Sequence, residues 1–277
     1  MTAALLEVRD LTKQYRDHAV GDRLARRVRR EPPLMPAVQN VSLSVQAGDT
    51  VGIVGETGSG KSTLAQCIVG LMRPTSGTVL LDGKELKHSR RARKTRALDV
   101  QMVFQDPYSS LNPRRRVGSI LRESLRVHDL LPRAKHGARV DELLELVGLP
   151  ADVAERYPRD LSGGQRQRVA IARALAFEPK LIVADEVVSA LDAAIQAQIL
   201  NLLRDLQEQT GTALVVISHN LAVVRYLCRW TVVMYRGQVV EAGPSEQVLD
   251  DPQHAYTRAL LSAVLSVDAP QAPPSPT

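Results

Sequence analysis

Three shortages in the sequence exclude whole classes of protein. Aromatic residues make up only 3% of the 277 residues, which argues against the aromatic platforms that stack single-stranded nucleic acid. The two cysteines, Cys67 and Cys228, lie far apart, so they indicate neither a disulfide framework nor a zinc or iron–sulfur site, and a reducing cytosol is expected. No apolar run reaches the roughly 20 residues needed to span a bilayer, and the N-terminus lacks a signal-peptide pattern. We therefore expect a soluble chain.

The chain does contain enough aliphatic residues for a sizeable core, and basic residues are in excess. Its formal net charge of +6 is compatible with acidic ligands, anionic lipid or nucleic acid as partners. The length permits one large domain or a domain with a smaller lobe, and does not decide between them.

A glycine-rich motif follows an apolar run at 50–54 that we predict to be a strand. The motif fits the phosphate-binding pattern G-x-x-x-x-G-K-[ST], and residues 63–71 after it are predicted to be helical. The glycines let the backbone curl so that its N–H groups face a polyphosphate, while Lys61 reaches the β- and γ-phosphates and Ser62 offers a hydroxyl to Mg²⁺. A structural glycine turn is the alternative, but strand, loop, Lys-Ser and helix occur in the required order. The motif consists of Gly55, Glu56, Thr57, Gly58, Ser59, Gly60, Lys61 and Ser62.

Strands and helices alternate along most of the chain, which predicts a largely parallel sheet with helices on its faces. A helical region at about 106–160 interrupts the alternation, and hairpins are expected at Asp82-Gly83 and Arg236-Gly237. Ser245 is expected to cap a short helix that ends near Asp250. The predicted strands are 5–9, 41–45, 77–81, 100–104, 180–184, 213–218, 231–235 and 239–241, and the predicted helices include 140–147, 169–176, 193–209 and 221–228.

Two segments do not fit this alternation. The insertion at about 16–36 carries arginines at helical spacing, which indicates either a cationic stripe for lipid headgroups or a partner, or a solvated loop closed by prolines, which we favour. The tail at 269–277 holds four prolines and little hydrophobicity, which predicts disorder. The spaced arginines are Arg23, Arg26, Arg27 and Arg30.

Two further motifs could take part in binding or hydrolysing a nucleotide. A buried-strand pattern at 181–184 ends in two carboxylates: Asp185 can hold Mg²⁺, and Glu186 can polarise the water that attacks a γ-phosphate. An ordinary acidic helix start is the alternative, which the upstream P-loop disfavours. The segment Leu161–Gln165 precedes an arginine-rich helix predicted to begin near Arg166, and it can hold phosphate oxygens or form a plain helix cap. The chain thus has two anion-holding helix starts but only one P-loop lysine.

Six motifs in this order resemble the ATP-binding subunit of an ATP-binding cassette (ABC) transporter, over roughly residues 5–265. The resemblance identifies a Walker A loop, a Q-loop glutamine, a signature, a Walker B strand with its glutamate, a D-loop and a switch histidine. In this chain they are Gly55–Ser62, Gln105, Leu161–Gln165, Asp185 with Glu186, Ser189–Asp192 and His219.

The resemblance implies an α/β fold of the P-loop NTPase (RecA-like) class, with a mostly parallel sheet core, an antiparallel β subdomain and an inserted helical subdomain. The N-terminal part of the core, with the antiparallel β subdomain and the P-loop, is expected at 1–105. The helical subdomain, ending in the signature, is expected at 106–165, and the C-terminal part of the core at 166–250. A C-terminal helix and the disordered tail then occupy 251–277.

The resemblance also implies roles in ATP hydrolysis for individual residues. Those implied in catalysis are Glu186, His219, Gln105 and Lys61, and those implied in holding Mg²⁺ are Ser62, Gln105 and Asp185. Besides the P-loop, the implied nucleotide-binding residues are Tyr15, Thr63, Gln105, Ser162, Gly163, Gly164 and Gln165. Tyr15 would stack on adenine, or else only pack against the fold.

Two subunits are implied to close head to tail, so that each ATP lies between one subunit's P-loop and the other's signature. This arrangement accounts for two helix starts with a single P-loop lysine. The second ATPase subunit can be identical or different.

Three stretches resemble the subgroup that serves oligopeptide, dipeptide and nickel importers. Many relatives have Pro-Thr after the Walker B glutamate, whereas this chain has Val187-Val188; we expect little effect on hydrolysis because neither side chain performs the proposed chemistry. Some relatives carry a cysteine cluster for an iron–sulfur centre near the C-terminus, but Cys228 stands alone in that half, so we predict no such centre. The three stretches are 104–113, 194–200 and 254–261.

The resemblance therefore implies the ATP-hydrolysing motor subunit of a membrane importer for oligopeptides or dipeptides, peripheral to the cytoplasmic face of the membrane. ATP-driven dimer closure would move two permease subunits through a groove beside Gln105 and the helical lobe, and an extracytoplasmic binding protein would deliver the substrate. No specific nucleic-acid partner is expected. Two alternatives stay open: a soluble ABC ATPase acting on nucleic acid or ribosomes, and the ATPase subunit of an exporter.

Overall fold

The computed structural model describes residues 4–16, 34–87, 89–106, 110–189 and 191–267 of the 277. These ranges contain two sheets, which pack together through buried side chains and are flanked by helices. The predictions for the spaced arginines at 23–30, for residues 107–109 and for the tail at 269–277 fall outside the described residues.

The smaller sheet is antiparallel, with the strand order β2-β1-β4-β5. Two of its strands are longer than predicted, because Arg16 still pairs with Leu34. The positive φ angles of Asp10 and Asn40 accompany register shifts in this pair, so the alternation of apolar and polar residues breaks and the sequence pattern understates the strands. The strands are β1 (Leu6–Arg16), β2 (Leu34–Val45), β4 (Ser76–Leu81) and β5 (Lys84–Glu85).

The larger sheet has the order β10-β9-β3-β8-β7-β6, with β9 and β10 antiparallel and the other neighbours parallel. This confirms the largely parallel α/β core. Its strands are β3 (Thr50–Val54), β6 (Val100–Val103), β7 (Leu181–Asp185), β8 (Ala213–Ser218), β9 (Trp230–Tyr235) and β10 (Gln238–Pro244).

The central strands are apolar at almost every position because both faces of the larger sheet are covered. In β7, Leu181 and Val183 belong to one buried cluster, which also includes side chains of the antiparallel sheet. Ile182 and Ala184 point to the opposite face and belong to a second cluster, built mainly from helices. Packing on both faces fixes the register of the strands, and therefore where their polar ends lie.

Helices cover the larger sheet. The helices are α1 (Lys61–Ile68), α2 (Arg90–Asp99), α3 (Val117–Val127), α4 (His136–Leu146), α5 (Gly163–Leu175), α6 (Ala193–Thr210), α7 (Leu221–Leu227), α8 (Ser245–Asp250) and α9 (Ala255–Val267). Three of them, α3, α4 and α5, come between β6 and β7 in the sequence. No helix of the described residues is long and apolar enough to cross a membrane.

Several predicted helix starts are wrong, since the helices predicted at 63–71 and 140–147 begin at Lys61 and His136. Helix α5 begins at Gly163 rather than near Arg166, because Ser162 and Gln165 cap each other and extend the first turn. Ser245 does not cap α8: it is the first helical residue and follows Pro244 at the cap position. The Ser245 hydroxyl instead lies 2.8 Å from that of Thr231 in β9, so a buried tertiary contact satisfies it.

Candidate functional site

The P-loop between β3 and α1 is shaped by two glycines whose backbones have positive φ. Gly60 has φ +101°, and a Cβ atom there would lie 2.2 Å from the carbonyl oxygen of Ala37 in β2. Gly55 has φ +149°, and its Cβ would lie 2.2 Å from the carbonyl oxygen of Met234 in β9. A residue with a side chain would be strained at these positive φ angles, and its Cβ atom would clash with a strand of one of the two sheets. The conformation of the loop therefore requires glycine at both positions.

Lys61 extends back over the loop from the first turn of α1. Its ammonium group donates to the carbonyl oxygens of Gly55 and Glu56, each at 2.7 Å, and to the hydroxyl of Ser59 at 3.3 Å. Burial lowers the pKa of Lys61, while the carboxylates of Glu186, Asp185 and Glu56 oppose that shift. The lysine is thus a partly desolvated cation held where a phosphate chain would lie.

Ser62 and Asp185 place two oxygen groups together at the start of α1. The Ser62 hydroxyl donates to a carboxylate oxygen of Asp185 at 3.3 Å. Burial raises the pKa of Asp185; the Ser62 hydrogen bond and Lys61 lower it, and neighbouring Glu186 raises it further. A hydroxyl and a carboxylate are hard oxygen donors of the kind that Mg²⁺ prefers, so this pair fits the cation implied by the sequence.

Glu186 lies at the centre of a small hydrogen-bonded cluster. Its backbone adopts the left-handed conformation, with φ +48°, immediately after β7. One carboxylate oxygen accepts a hydrogen bond from the amide nitrogen of Gln105 at 2.8 Å, and the other lies 3.2 Å from Nδ1 of His219. Both oxygens are therefore oriented, and the side chain keeps 18% of its surface exposed for a reactant.

These groups meet because they follow neighbouring parallel strands. Gln105 follows β6, Glu186 follows β7, His219 follows β8 and the P-loop follows β3, and these four strands are adjacent in the sheet. In open α/β sheets, ligands bind in the crevice beyond the carboxyl ends of the strands. The structure therefore brings the predicted catalytic and metal-holding residues of this chain to one edge.

The other predicted P-loop residues surround this edge. Glu56, Thr57 and Gly58 are exposed at the tip of the loop, and Ser59 is buried beneath it. The Thr63 hydroxyl lies 3.5 Å from that of Tyr15, a residue that is 40% exposed. The Tyr15 hydroxyl contacts the sulfur of Met72 at 2.9 Å. Tyr15 thus stands beside the P-loop helix, and its adenine-stacking role stays a prediction.

The signature residues form a separate unit at the start of α5. The Ser162 hydroxyl accepts from the backbone N–H of Gln165 at 3.2 Å, and the Gln165 side chain accepts from the Ser162 N–H at 3.0 Å. Gly164 lies against α6, where a Cβ would come within 2.5 Å of the Ile195 side chain. Among the described residues, no hydrogen bond joins Ser162, Gly163, Gly164 or Gln165 to the P-loop or to the other predicted site residues.

Two contacts at the site were not predicted from the sequence. The Ser189 hydroxyl accepts from Gln105 at 3.3 Å and donates to the Glu186 carbonyl oxygen at 2.9 Å; its place in the D-loop motif was the available signal. The Tyr256 hydroxyl accepts a hydrogen bond from the backbone N–H of Glu56 at 3.0 Å. No local pattern signals this second contact, because 200 residues separate its partners.

Two family models match the chain. The ABC transporter model matches residues 38–189, which is more than half of the chain. The model for the C-terminal region of oligopeptide/dipeptide transporters matches residues 240–276.

Curated relatives match over most of the chain. It is 48% identical to a probable peptide ABC transporter ATP-binding protein of Sinorhizobium fredii, over 95% of this chain and 73% of that protein. It is 50% identical to a putative peptide import ATP-binding protein of Brucella abortus, over 83% of this chain and 70% of that protein. A di/tripeptide transport ATP-binding protein of Pseudomonas aeruginosa is 46% identical, over 95% and 80%.

Solved structures share the fold. CbiO1 of Clostridium perfringens, part of the CbiONQ ABC transporter complex, superposes with a TM-score of 0.75 and 26% identity, over 96% of each chain. A dimeric ATP-binding cassette in a post-hydrolysis state, bound to ADP and phosphate, superposes with a TM-score of 0.74 and 30% identity, over 87% of this chain and 98% of that one.

Proposed function

The chain belongs to the ATP-binding subunits of ABC transporters, which hydrolyse ATP to drive transport, and we propose that it is the motor of a peptide importer. The observation that carries the ATPase assignment is the Gln105–Glu186–His219 cluster beside the P-loop. Oligopeptides or dipeptides are proposed as cargo because the match at 240–276 and the names of the relatives agree.

In the proposed mechanism, Glu186 activates the attacking water. Its carboxylate accepts a hydrogen bond from that water and takes one of its protons as the oxygen attacks the γ-phosphorus. The bond from the γ-phosphorus to the β–γ bridging oxygen breaks, so ADP leaves and phosphate is formed. Gln105 and His219 hold the two carboxylate oxygens, so the base is oriented before the reactant arrives. Because a base that is already oriented needs no rearrangement when the water arrives, this arrangement lowers the barrier through positioning.

Lys61 and the P-loop amides stabilise the negative charge of the phosphates. The lysine leaves the carbonyl oxygens of Gly55 and Glu56 and turns to the β- and γ-phosphates. Ser62 and Asp185 would hold Mg²⁺, with Gln105 beside them, and the cation would neutralise charge between the phosphates. The positive end of α1 contributes in the same direction.

The signature is proposed to act on the ATP of a second ATPase subunit. In this chain Ser162, Gly163 and Gly164 begin a thirteen-residue helix whose N–H groups can meet an anion, yet the chain's own P-loop makes no described hydrogen bond with them. A head-to-tail pair would place the two halves across each ATP. The partner subunit can be a second copy or a related chain.

The motion of the pair is proposed to pass to two permease subunits at the cytoplasmic face of the membrane. Gln105 bonds the Glu186 carboxylate and precedes the segment that leads into α3. Binding or hydrolysis of ATP at Glu186 would therefore shift the start of the helical region. An extracytoplasmic binding protein would bring the peptide to the permeases.

The test is reconstitution of the chain with its co-purifying permeases and partner subunit in proteoliposomes. ATP on the side of the ATPase subunits should drive a labelled di- or oligopeptide across the membrane toward that same side. The Glu186→Gln variant should not support this movement. Movement of peptide in the opposite direction would indicate an exporter. If permeases do not co-purify, and nucleic acid stimulates the ATPase with a strong salt dependence, the importer assignment fails.

A further inference from the structure

The C-terminal helix α9 contacts the P-loop directly, through one tyrosine. The Tyr256 hydroxyl lies 3.0 Å from the backbone nitrogen of Glu56, the second residue of the loop, and accepts its hydrogen bond. We propose that Tyr256 is a positioning residue of the ATP site, through which the C-terminal segment sets the affinity for nucleotide. This inference does not depend on the transported molecule.

The start of α9 is fixed well enough for such a role. The Glu241 carboxylate in β10 accepts the N–H groups of Gln253 at 2.7 Å and of His254 at 3.0 Å, one oxygen for each. Charge-assisted hydrogen bonds of this kind are stronger than neutral ones. The first turn of α9 is thereby tied to the hairpin that packs beside the P-loop.

The ring of Tyr256 is also held. It packs against the ring of Tyr235, with centroids 4.2 Å apart and planes inclined by 31°. Tyr235 is the last residue of β9. It follows Met234, whose carbonyl oxygen lies so close to Gly55 that a Cβ atom there would clash with it. The same strand end thus limits the loop at Gly55 and directs the Tyr256 hydroxyl to Glu56.

Glu56 is held at both ends of its backbone, and the two contacts respond differently to nucleotide. Tyr256 binds its N–H, whereas Lys61 donates to its carbonyl oxygen at 2.7 Å. When a phosphate draws Lys61 away, the carbonyl contact is lost. Tyr256 is not drawn to the phosphates as Lys61 is, so we expect its contact to persist and to keep the start of the loop in place. Its loss should therefore weaken ATP binding while leaving the chemical step intact.

The test compares Tyr256→Phe with Tyr226→Phe in the full-length chain. The first change removes the hydroxyl that holds Glu56 and keeps the ring pair; the second removes a hydroxyl that bonds Asn201, in a contact between α7 and α6. Loss of one neutral hydrogen bond predicts that Kd for ATP and for ADP rises about twofold to tenfold in Tyr256→Phe. The kcat at saturating ATP and the thermal midpoint of the nucleotide-free chain should stay at their wild-type values, and Tyr226→Phe should not change Kd.

Unchanged nucleotide affinity in a folded Tyr256→Phe chain would overturn the proposal, as would equal weakening in Tyr226→Phe. A fall in kcat with no change in Kd would do the same. Hydrogen exchange on the wild-type chain gives an answer even if a variant does not fold. The Glu56 amide should exchange more slowly than the amide of the exposed residue Thr57 in the absence of nucleotide, and equal exchange of the two would contradict the contact.

Discussion

The two regions of the chain that are predicted to bind nucleotide, the P-loop and the signature, differ in how complete they are. In the P-loop region Lys61 bonds the loop itself, Ser62 bonds Asp185, and Glu186 contacts Gln105 and His219, all at one edge of the sheet. In the signature region Ser162 and Gln165 cap each other, and no described hydrogen bond joins them to the P-loop. One region brings its own polar groups together on folding of this chain, and we propose that the other acts on a nucleotide held by a second subunit.

The difference shows which structural features fix the geometry of each region, called here the P-loop half and the signature half of the ATP site. The P-loop half depends on strand register, because its groups follow four adjacent strands. The signature half depends on a local helix cap, and the backbone around Gly164 is packed against Ile195. Changes to the first half should therefore alter binding and chemistry within one chain. Changes to the second should alter ATP turnover only when two chains meet, although they can also alter the stability of the single chain.

The largest effect is expected for Glu186→Gln. The amide cannot take the proton of the attacking water, so turnover should fall about a hundredfold to ten-thousandfold. ATP should still bind, because Lys61 and the loop are unaltered. Steady-state phosphate release and ATP titration measure the two quantities. The control is Glu208→Gln, on an exposed position of α6, and wild-type turnover by Glu186→Gln would remove this carboxylate from its role.

A smaller effect, on affinity, is expected for Lys61→Ala. Losing a charge-assisted contact with the phosphates should raise Kd for ATP about tenfold to a hundredfold. Titration with ATP checks it. Lys180→Ala is the matched control, because that lysine pairs with Asp82 and Asp99 at the opposite end of β7 and should leave Kd unchanged. Equal affinity in wild type and Lys61→Ala would place the phosphates away from this loop.

A signature substitution should sharpen the comparison directly. Ser162→Ala should lower turnover of the assembled ATPase about tenfold while the isolated chain keeps its affinity for ATP. It should also cost about 1 kcal/mol of unfolding free energy through the lost helix cap. Ser89→Ala removes the cap of α2 at a similar cost without touching the signature, so turnover should stay constant. Weaker ATP binding by the isolated Ser162→Ala chain would contradict the two-chain assignment.

The smallest effect concerns stability. Because burial raises the pKa of Asp185, its ionised form destabilises the nucleotide-free fold above that pKa. Asp185→Asn should therefore raise the thermal midpoint near neutral pH by about 2 °C. The gain should disappear as pH falls through the raised pKa toward the ordinary value, because the wild-type group is then protonated in both states. A gain that grows at acid pH would contradict this, and magnesium-dependent ATP binding should weaken in the same variant.

Much of this architecture could be predicted because it depends on local patterns. The P-loop, the carboxylates after β7 and the position of His219 follow from strand, turn and helix signals within a few residues of each. The Tyr256–Glu56 contact and the Arg16–Leu34 pairing could not be predicted in this way, because they join distant segments. The prediction that Ser245 caps α8 is wrong for a related reason. The local cap pattern is present, but the Ser245 hydroxyl pairs with that of Thr231, which lies in another element. The domain boundaries and the individual roles of the site residues stay predictions.

The central claim is that ATP is held between two ATPase subunits, and sedimentation velocity tests it most directly. The Glu186→Gln chain would be measured alone and with its co-purified ATPase partner, each with and without ATP and magnesium. We expect nucleotide-dependent association of two ATPase subunits, as a pair of copies or as a mixed pair, which dissociates when ATP is removed. A chain that is saturated with ATP yet sediments as a monomer in every case, while the wild type hydrolyses ATP at concentrations where it is also a monomer, would contradict the claim.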